Sequence, residues 1–159
     1  MATVLTNLNV YVAIAEEAVA ESVRLAEAGR TPKPDGQPGN IIAYDPERKS
    51  FKQSLIAIAF AGMYLEALIG LIGNARLGKV LYNKIDRYTY EEKLSLLGVF
   101  DPTVLANCKR FREARNDLMH EKAVGLEALG TIDIRMAQEE AVFGVEFVKS
   151  IRSKFETDS

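Results

Sequence analysis

The feature that most constrains this chain is one long apolar stretch, from Leu55 to Ile72, in which Glu66 is the only charged residue. A segment of this length reaches the lower limit for a helix that crosses a bilayer. An ionised carboxylate near the centre of a membrane span is costly, however, and two glycines interrupt the stretch. We therefore predict a helix over 50–72 that is buried on most sides in a protein core, with no membrane as a partner.

Three further segments have the apolar spacing of amphipathic helices. We predict long helices over 3–28, 102–122 and 133–155, because apolar residues recur there every three or four positions. Asp101 followed by Pro102 predicts the start of one of them, since Asp is a favoured N-cap and Pro suits the first helical position. Together with the apolar helix they predict an all-α fold, an up-and-down bundle of four long helices with short additional helices.

Shorter elements are predicted to complete the bundle. Ser50 is a candidate N-cap of the apolar helix, and Gly73 with Asn74 predicts a break or a kink after it. Short helices are expected over 75–86 and 90–97.

The segment 30–49 has a different composition from the helices. It holds four of the five prolines of the chain. Such a segment cannot continue a helix and offers little to a core, so we predict an irregular loop, which either is mobile or shapes a site. A chain of 159 residues with one such loop is expected to form a single domain over residues 1–159.

Composition excludes several classes of function. Lys and Arg number 20 and Asp and Glu 22, a net charge of −2, so contact with nucleic acid would need a local basic patch. Cys108 is the only cysteine and His120 the only histidine, which excludes an internal disulfide and a His-rich metal centre within one chain. No signal peptide is recognisable at the N-terminus, so we expect a cytoplasmic protein. With one cysteine and one histidine, we expect no metal or cofactor.

Arg115 is the residue most in conflict with its surroundings. It falls in the middle of the apolar stripe of the 102–122 helix, and a guanidinium taken out of water needs a partner. Glu66, alone in its apolar helix, is the natural partner. Either this pair ties two helices together, or Arg115 lines a cleft or a subunit interface. Asn116 and His120, four residues apart, would lie beside it.

The segment from Arg115 to His120 resembles the Arg-x4-6-His motif of HEPN (higher eukaryotes and prokaryotes nucleotide-binding) domains. The polar residue that usually follows the arginine in that motif is present as Asn116. Within about residues 50–125, three other segments are similar to the same family: Tyr64–Ile69, Tyr90–Leu94 and Lys109–Ala114.

The resemblance implies a helical homodimer that brings two such motifs into one cleft. Many HEPN domains are metal-independent endoribonucleases of toxin–antitoxin, phage-defence or RNA-processing systems, and others have kept the fold without activity. For this chain it implies an RNA substrate, His120 as general acid or base, and Arg115 as the group that stabilises transition-state charge. Asn116 would hold the histidine ring or a phosphate oxygen, and Glu66 would support Arg115.

RNA affinity would depend on further cations of the same helix, namely Lys109, Arg110, Arg112 and Lys122. The alternative is that these cations form an ordinary solvated face. In the HEPN subgroup paired with nucleotidyltransferase antitoxins a tyrosine commonly stands where this chain has Lys122. That argues against a tyrosine-modifying antitoxin and leaves an antitoxin or regulatory protein of another kind open as a partner.

Two other function hypotheses stay open at this point. One is a non-catalytic HEPN-type module that binds nucleotides or a partner protein. The other is an unrelated helical bundle in which Arg115 and Glu66 form a structural pair.

Overall fold

The computed structural model describes residues 7–42, 47–119 and 134–156. The helices in chain order are α1 (Leu8–Ala28), α2 (Lys49–Leu77), α3 (Lys79–Lys84), α4 (Tyr90–Leu96), α5 (Pro102–Met119) and α6 (Ile134–Glu156). Two short strands lie between α1 and α2: β1 (Arg30–Pro32) and β2 (Asn40–Ile42). The predicted helical class is confirmed, and each of the four predicted long helices has its counterpart. The predicted helix ends at 3, 122 and 133 lie outside the described residues.

α2 is the central helix of the described structure, and it packs against α1, α5 and α6. Both α1 and α2 bury alanines in the core, Ala15 and Ala18 on α1 and Ala57 and Ala61 on α2. Side chains this small let two helix axes approach closely. The larger apolar residues of α2 and α6 complete a single core between the long helices: Ile58, Leu65, Leu68, Ile69, Val145, Val148 and Ile151.

α2 is also long and apolar enough to cross a membrane by length and composition, with a mean hydropathy of 2.2 over its most apolar window. A core helix of a soluble protein has the same properties, and 44% of that window is buried inside the protein. The position of α2 between α1, α5 and α6 agrees with the predicted core helix. Ile56, Met63 and Leu71 nevertheless remain exposed, so α2 is less completely buried than we predicted.

The predicted break at Gly73 and Asn74 is wrong, because α2 continues without interruption to Leu77. Gly73 is required for packing instead. A Cβ on Gly73 would lie 2.4 Å from Cδ2 of Tyr82, so the missing side chain lets the Tyr82 ring rest on the α2 backbone. The helix ends at Gly78, whose φ of 77° favours glycine, and α3 is accordingly shorter than the predicted 75–86.

Ser50 does not cap α2 as predicted, because the helix begins one residue earlier, at Lys49. The Ser50 hydroxyl donates to the carbonyl of Ser22 on α1, at 3.0 Å. The Ser22 hydroxyl lies 2.7 Å from the hydroxyl of Ser54, which donates to the Ser50 carbonyl at 3.0 Å. All three serines are buried. We call them the serine cluster; it joins α1 to the first turns of α2.

The segment predicted to be irregular contains a small antiparallel hairpin, in which Arg30 pairs with Ile42 and Pro32 with Asn40. Its residues 30–41 are all exposed, so burial contributes little to it. The turn forms it instead, since Asp35, Gly36 and Gly39 have positive φ and Lys33 N–H donates to the Gly39 carbonyl at 3.2 Å. Apolar alternation, the usual signal of a strand, is therefore missing from the sequence. Residues 43–46 of this segment lie outside the described residues.

Candidate functional site

α5 begins as predicted. The Asp101 carboxylate accepts a hydrogen bond from the Thr103 backbone N–H at 2.9 Å, which satisfies a free donor of the first turn. The apolar face of α5 then turns inward. On it Phe111 lies so close to α6 that a Cβ on Gly144 would be 2.8 Å from its ring. Arg115 follows Phe111 one turn later on this anchored face.

Arg115 crosses α2 at Gly62. A Cβ on Gly62 would lie 2.4 Å from Nε and 2.8 Å from Cδ of Arg115, so only glycine admits the side chain in this position. The arginine is thereby placed against the α2 backbone, with 26% of its side chain exposed. Its Nε is buried and has no hydrogen-bond partner among the described residues. A buried donor without a partner is uncommon in a folded protein and costs stability.

The predicted pair of Arg115 and Glu66 is present. Nη2 of Arg115 lies 3.4 Å from Oε1 of Glu66, and Glu66 lies one turn beyond Gly62 on the same face of α2. Glu66 is less buried than its position in an apolar helix predicts, because 51% of its side chain is exposed. Arg115 is the more buried partner, and Glu66 meets it from the solvent side.

Tyr90 is a third member of this site, which sequence reasoning missed. Its hydroxyl donates to Oε1 of Glu66 at 2.5 Å and accepts from Nη1 of Arg115 at 3.3 Å. Arg115, Glu66 and Tyr90 thus form one polar cluster between α2, α4 and α5, which we call the arginine cluster. Burial, followed by the hydrogen bond to Glu66, raises the pKa of Tyr90 well above its usual value, so its hydroxyl keeps the proton.

A sequence signal for Tyr90 does exist. Thr89 and Glu92 form a capping box: the Glu92 carboxylate accepts from the Thr89 N–H at 2.7 Å, and the Thr89 hydroxyl accepts from the Glu92 N–H at 3.3 Å. This pattern starts α4 at Tyr90. It locates Tyr90 in the helix, but its contact with Arg115 depends on how α4 packs against α5.

A cavity of about 390 Å³ lies against the arginine cluster. It is lined by three tyrosines, two carboxylates, one lysine and one isoleucine: Tyr82, Tyr88, Tyr90, Glu66, Asp86, Lys93 and Ile69. Tyr90 and Glu66 belong both to the cavity wall and to the arginine cluster. The site therefore combines a held guanidinium with an open, tyrosine-rich space.

The other two residues of the predicted catalytic motif are Asn116 and His120, and only Asn116 lies within the described residues. Asn116 follows Arg115 on α5 and is half-buried, and the hydrogen bonds of Arg115 do not include it. His120 lies outside the described residues. The structure thus brings Arg115 together with Glu66 and Tyr90, whereas the relation of Arg115 to His120 stays a prediction.

The described cations that we predicted for RNA binding each have a carboxylate neighbour. Arg112 forms a bidentate ion pair with Glu91 of α4. Its Nη2 lies 2.9 Å from Oε1 and its Nε 3.1 Å from Oε2 of the carboxylate. Arg110 pairs with Glu140 of α6 at 2.8 Å. Lys109 is 3.9 Å from Glu113 on its own helix. These acidic partners offset the positive charge of this face; the fourth predicted cation, Lys122, lies outside the described residues.

Other reactive groups of the described chain are not arranged for chemistry. Cys108 is fully buried, and burial raises the pKa of its thiol to about 12, which makes it a poor nucleophile at neutral pH. Within residues 7–42, 47–119 and 134–156, no group of three or more His, Cys, Asp or Glu side chains could hold a metal ion.

Comparison with protein-family models, with curated proteins and with solved structures finds no match to this chain. What the chain does must therefore be argued from its own residues.

Proposed function

We propose that this chain is a metal-independent endoribonuclease of HEPN type, in which Arg115, Asn116 and His120 cleave RNA. The observation that carries the proposal is the state of Arg115. Its guanidinium is pressed onto α2 at Gly62 and is partly exposed, and its two polar partners, Glu66 and Tyr90, line a cavity. An arginine that served only to join helices would not need a binding-sized space beside the residues that hold it.

The proposed reaction uses the nucleophile of the substrate itself. The 2′-oxygen of a ribose attacks the adjacent phosphorus and loses its proton to a general base, and the bond from phosphorus to the 5′-oxygen breaks. A general acid gives the departing 5′-oxygen a proton, so the products are a 2′,3′-cyclic phosphate and a 5′-hydroxyl. His120 suits both roles because imidazole titrates near neutral pH, and two copies in a homodimer would divide them.

Arg115 would stabilise the charge that develops on the phosphate oxygens. Its contact with Glu66 is suited to this role, because the two charges are 3.4 Å apart and the carboxylate is half exposed. Water can solvate the half-exposed Glu66 carboxylate once the guanidinium has turned to a phosphate. The guanidinium can therefore exchange Glu66 for a phosphate at little cost, while Tyr90 and Gly62 keep it in place. Asn116 would orient the histidine or a phosphate oxygen.

The biological setting that we propose follows the family resemblance: a cytoplasmic homodimer in a toxin or defence system, held inactive by an antitoxin or regulatory protein. A second candidate is a non-catalytic HEPN-type module that binds nucleotides or a protein. The bidentate ion pair of Arg112 with Glu91 and the pair of Arg110 with Glu140 favour this second candidate, because they leave fewer cations for an RNA backbone.

The test is cleavage of structured and unstructured RNA by the purified full chain in EDTA, beside His120→Ala. We expect the variant to cleave about 10²–10⁴-fold more slowly, the usual contribution of one acid–base group, with an unchanged melting curve. Arg24→Ala is the matched control, since Arg24 is an exposed arginine paired with Glu21, and it should cleave like the parent. A parent that is inert on every RNA but still dimerises would support the binding module, and equal rates for His120→Ala and the parent would remove His120 from the mechanism.

A further inference from the structure

The cavity beside the arginine cluster has the size of a small-ligand site, and its lining is polar and aromatic. Its volume of about 390 Å³ is within the usual range for such sites and is enough for one nucleotide. Three tyrosines contribute to its wall, and Tyr88 is 48% exposed. Aromatic rings at an open cavity provide flat surfaces on which another ring can stack.

Lys93 is the unusual residue of this wall, since only 8% of it is exposed. Its ammonium donates to the backbone carbonyl of Asp86 at 2.7 Å and lies 5.9 Å from the centre of the Tyr82 ring. An ammonium has three donors, and the part of the chain that the structure describes supplies this one acceptor. A buried ammonium with unused donors favours a ligand that brings hydrogen-bond acceptors.

Asp86 provides the opposite chemistry. Its carboxylate receives no hydrogen bond from the described residues, although its backbone carbonyl accepts from Lys93. Asp86 and Glu66 both raise the pKa of Tyr82, after the larger effect of burial, so both carboxylates act on one phenol of the cavity. The cavity wall therefore presents acceptors as well as a donor group.

The charges of the wall exclude a simple ion as the best ligand. Glu66 is already balanced by Arg115, which leaves one negative charge at Asp86 and one positive charge at Lys93. A simple cation would satisfy Asp86 and leave the donors of Lys93 unused, and a simple anion would do the reverse. A neutral ring with donors along one edge and acceptors along another would satisfy both groups.

We propose that this cavity binds a guanine base. Guanine combines the O6 and N7 acceptors, which lysine recognises, with two adjacent N–H donors on its Watson–Crick edge, which one carboxylate can accept together. Adenine, cytosine and uracil each lack that pair of adjacent donors. The tyrosines would supply the stacking surface.

If the guanine belongs to RNA, the site deepens the proposed function, on which this part of the inference rests. Tyr90 and Glu66 connect the cavity to Arg115, so a base bound there would bring its own or a neighbouring phosphate towards the guanidinium. The chain would then be a guanine-selective ribonuclease.

Binding is measured separately from cleavage by titrating GMP, AMP, CMP and UMP into the full chain by calorimetry. A short single-stranded RNA with one guanine, and the same RNA without it, distinguish a base within RNA from a free nucleotide. We expect GMP to bind about tenfold or more tightly than the other nucleotides, the discrimination typical of a matched pair of hydrogen bonds.

Two exposed residues test the wall without disturbing the core. Asp86→Asn should weaken GMP binding about tenfold, and Tyr88→Leu should weaken all four nucleotides by a similar factor because it removes stacking. Asp35→Asn, an exposed carboxylate in the hairpin, is the matched control and should bind like the parent. Melting curves show whether each variant is folded.

The outcomes separate this inference from the proposed function. GMP binding that depends on Asp86, without cleavage of any RNA, supports the guanine site and counts against the ribonuclease. Cleavage without base preference, and without GMP binding, overturns the guanine site alone. Equal affinity for all four nucleotides, or binding that Asp86→Asn leaves unchanged, overturns guanine recognition. Aromatic side chains can also bind quaternary ammonium ions. Tighter binding of tetramethylammonium than of GMP would therefore overturn guanine recognition as well.

Discussion

α2 carries two polar clusters, and they differ in nearly every physical respect. The serine cluster, at the first turns of the helix, is fully buried and closes on itself with hydrogen bonds of 2.7–3.2 Å. The arginine cluster, further along α2, is partly exposed, contains contacts of 3.3 and 3.4 Å, and leaves Nε of Arg115 without a partner. The first satisfies its groups and joins two helices; the second leaves one buried donor unsatisfied and shares Tyr90 and Glu66 with the wall of a cavity.

This difference indicates where function is to be expected in the chain. Buried polar groups are normally satisfied, and the exceptions are informative. The serine cluster has the arrangement that is expected of buried polar groups with a purely structural role. The arginine cluster accepts a less favourable arrangement, which is typical of sites that must exchange one partner for another.

Among changes to the two clusters, the largest effect is expected from Gly62→Ala. The added methyl group would lie 2.4 Å from Nε of Arg115, so it must displace the guanidinium. Misplacing a positioning group by about 1 Å can cost on the order of 10²-fold in rate, and we expect a loss of that size in RNA cleavage. Stability should change little, since alanine favours a helix over glycine by about 1 kcal/mol and offsets part of the strain.

Gly70→Ala is the matched control for that experiment. It adds the same methyl group to the same helix, but the new Cβ would be 3.6 Å from the Tyr82 hydroxyl, an ordinary contact. Cleavage rates and melting curves of the two variants should differ in rate only. If Gly62→Ala cleaves like Gly70→Ala, the position of Arg115 against α2 has no part in catalysis.

Ser22→Ala tests the other cluster. It removes the hydroxyl that contacts both Ser50 and Ser54, while those two serines keep backbone acceptors. The loss of such a bond costs about 1 kcal/mol, or roughly 2–4 °C in melting temperature for a chain of this size. Cleavage should be unchanged. A loss of activity at full stability would contradict the structural role that we give to the serine cluster.

Ser153→Ala is the control for this change. Its hydroxyl also donates to a backbone carbonyl, that of Ser150 at 2.7 Å, but in an exposed place. Water can replace that bond, so we expect no measurable loss of stability.

The two clusters also show what sequence could and could not predict. A cation within an apolar stripe needs a partner, and a lone carboxylate in an apolar helix is a candidate for it; this local reasoning found Arg115 and Glu66. Tyr90 comes from a third helix, 25 residues from Arg115 in sequence, and its contact depends on packing that no periodic pattern contains. Gly73 was misinterpreted for the same reason, because its partner is the ring of Tyr82 and not a turn.

A smaller effect distinguishes the clusters by pH. The pKa of Tyr90 is raised in the folded state, so its contribution to stability is fully present below the unfolded value of about 10 and is lost as pH rises towards the folded pKa. Tyr90→Phe should therefore reduce the alkaline decrease in unfolding free energy, by about 0.8 kcal/mol at about pH 10.5.

Urea unfolding at neutral pH and at about pH 10.5 measures the alkaline decrease in unfolding free energy of the parent and of Tyr90→Phe. Ser22→Ala is the comparison, because a serine hydroxyl does not titrate there, and it should keep the slope of the parent. Tyr64, Tyr82 and Cys108 also have raised pKa values, so the parent and both variants share a background decrease. Equal slopes for the parent and Tyr90→Phe would show that the arginine cluster does not hold the phenol in its neutral form.

The smallest expected effect concerns two cations of α5, and it shows how far a contact with RNA would extend along this helix. Lys109 is 61% exposed and has only a 3.9 Å contact with Glu113, whereas Arg110 donates twice to Glu140 and lies 3.8 Å from the centre of the Phe143 ring. A cation held in this way must break its own pair before it can bind a phosphate.

Of these two cations predicted for RNA binding, Lys109 is therefore the better placed, and Lys109→Ala should reduce the slope of log affinity for RNA against log salt by about 1. Arg110→Ala should leave that slope nearly unchanged and lower stability by about 0.5–1 kcal/mol through loss of the ion pair and the ring contact. If Arg110→Ala changes the slope as much as Lys109→Ala, the pairs on α5 open when RNA binds, and both cations then belong to the functional side of the molecule.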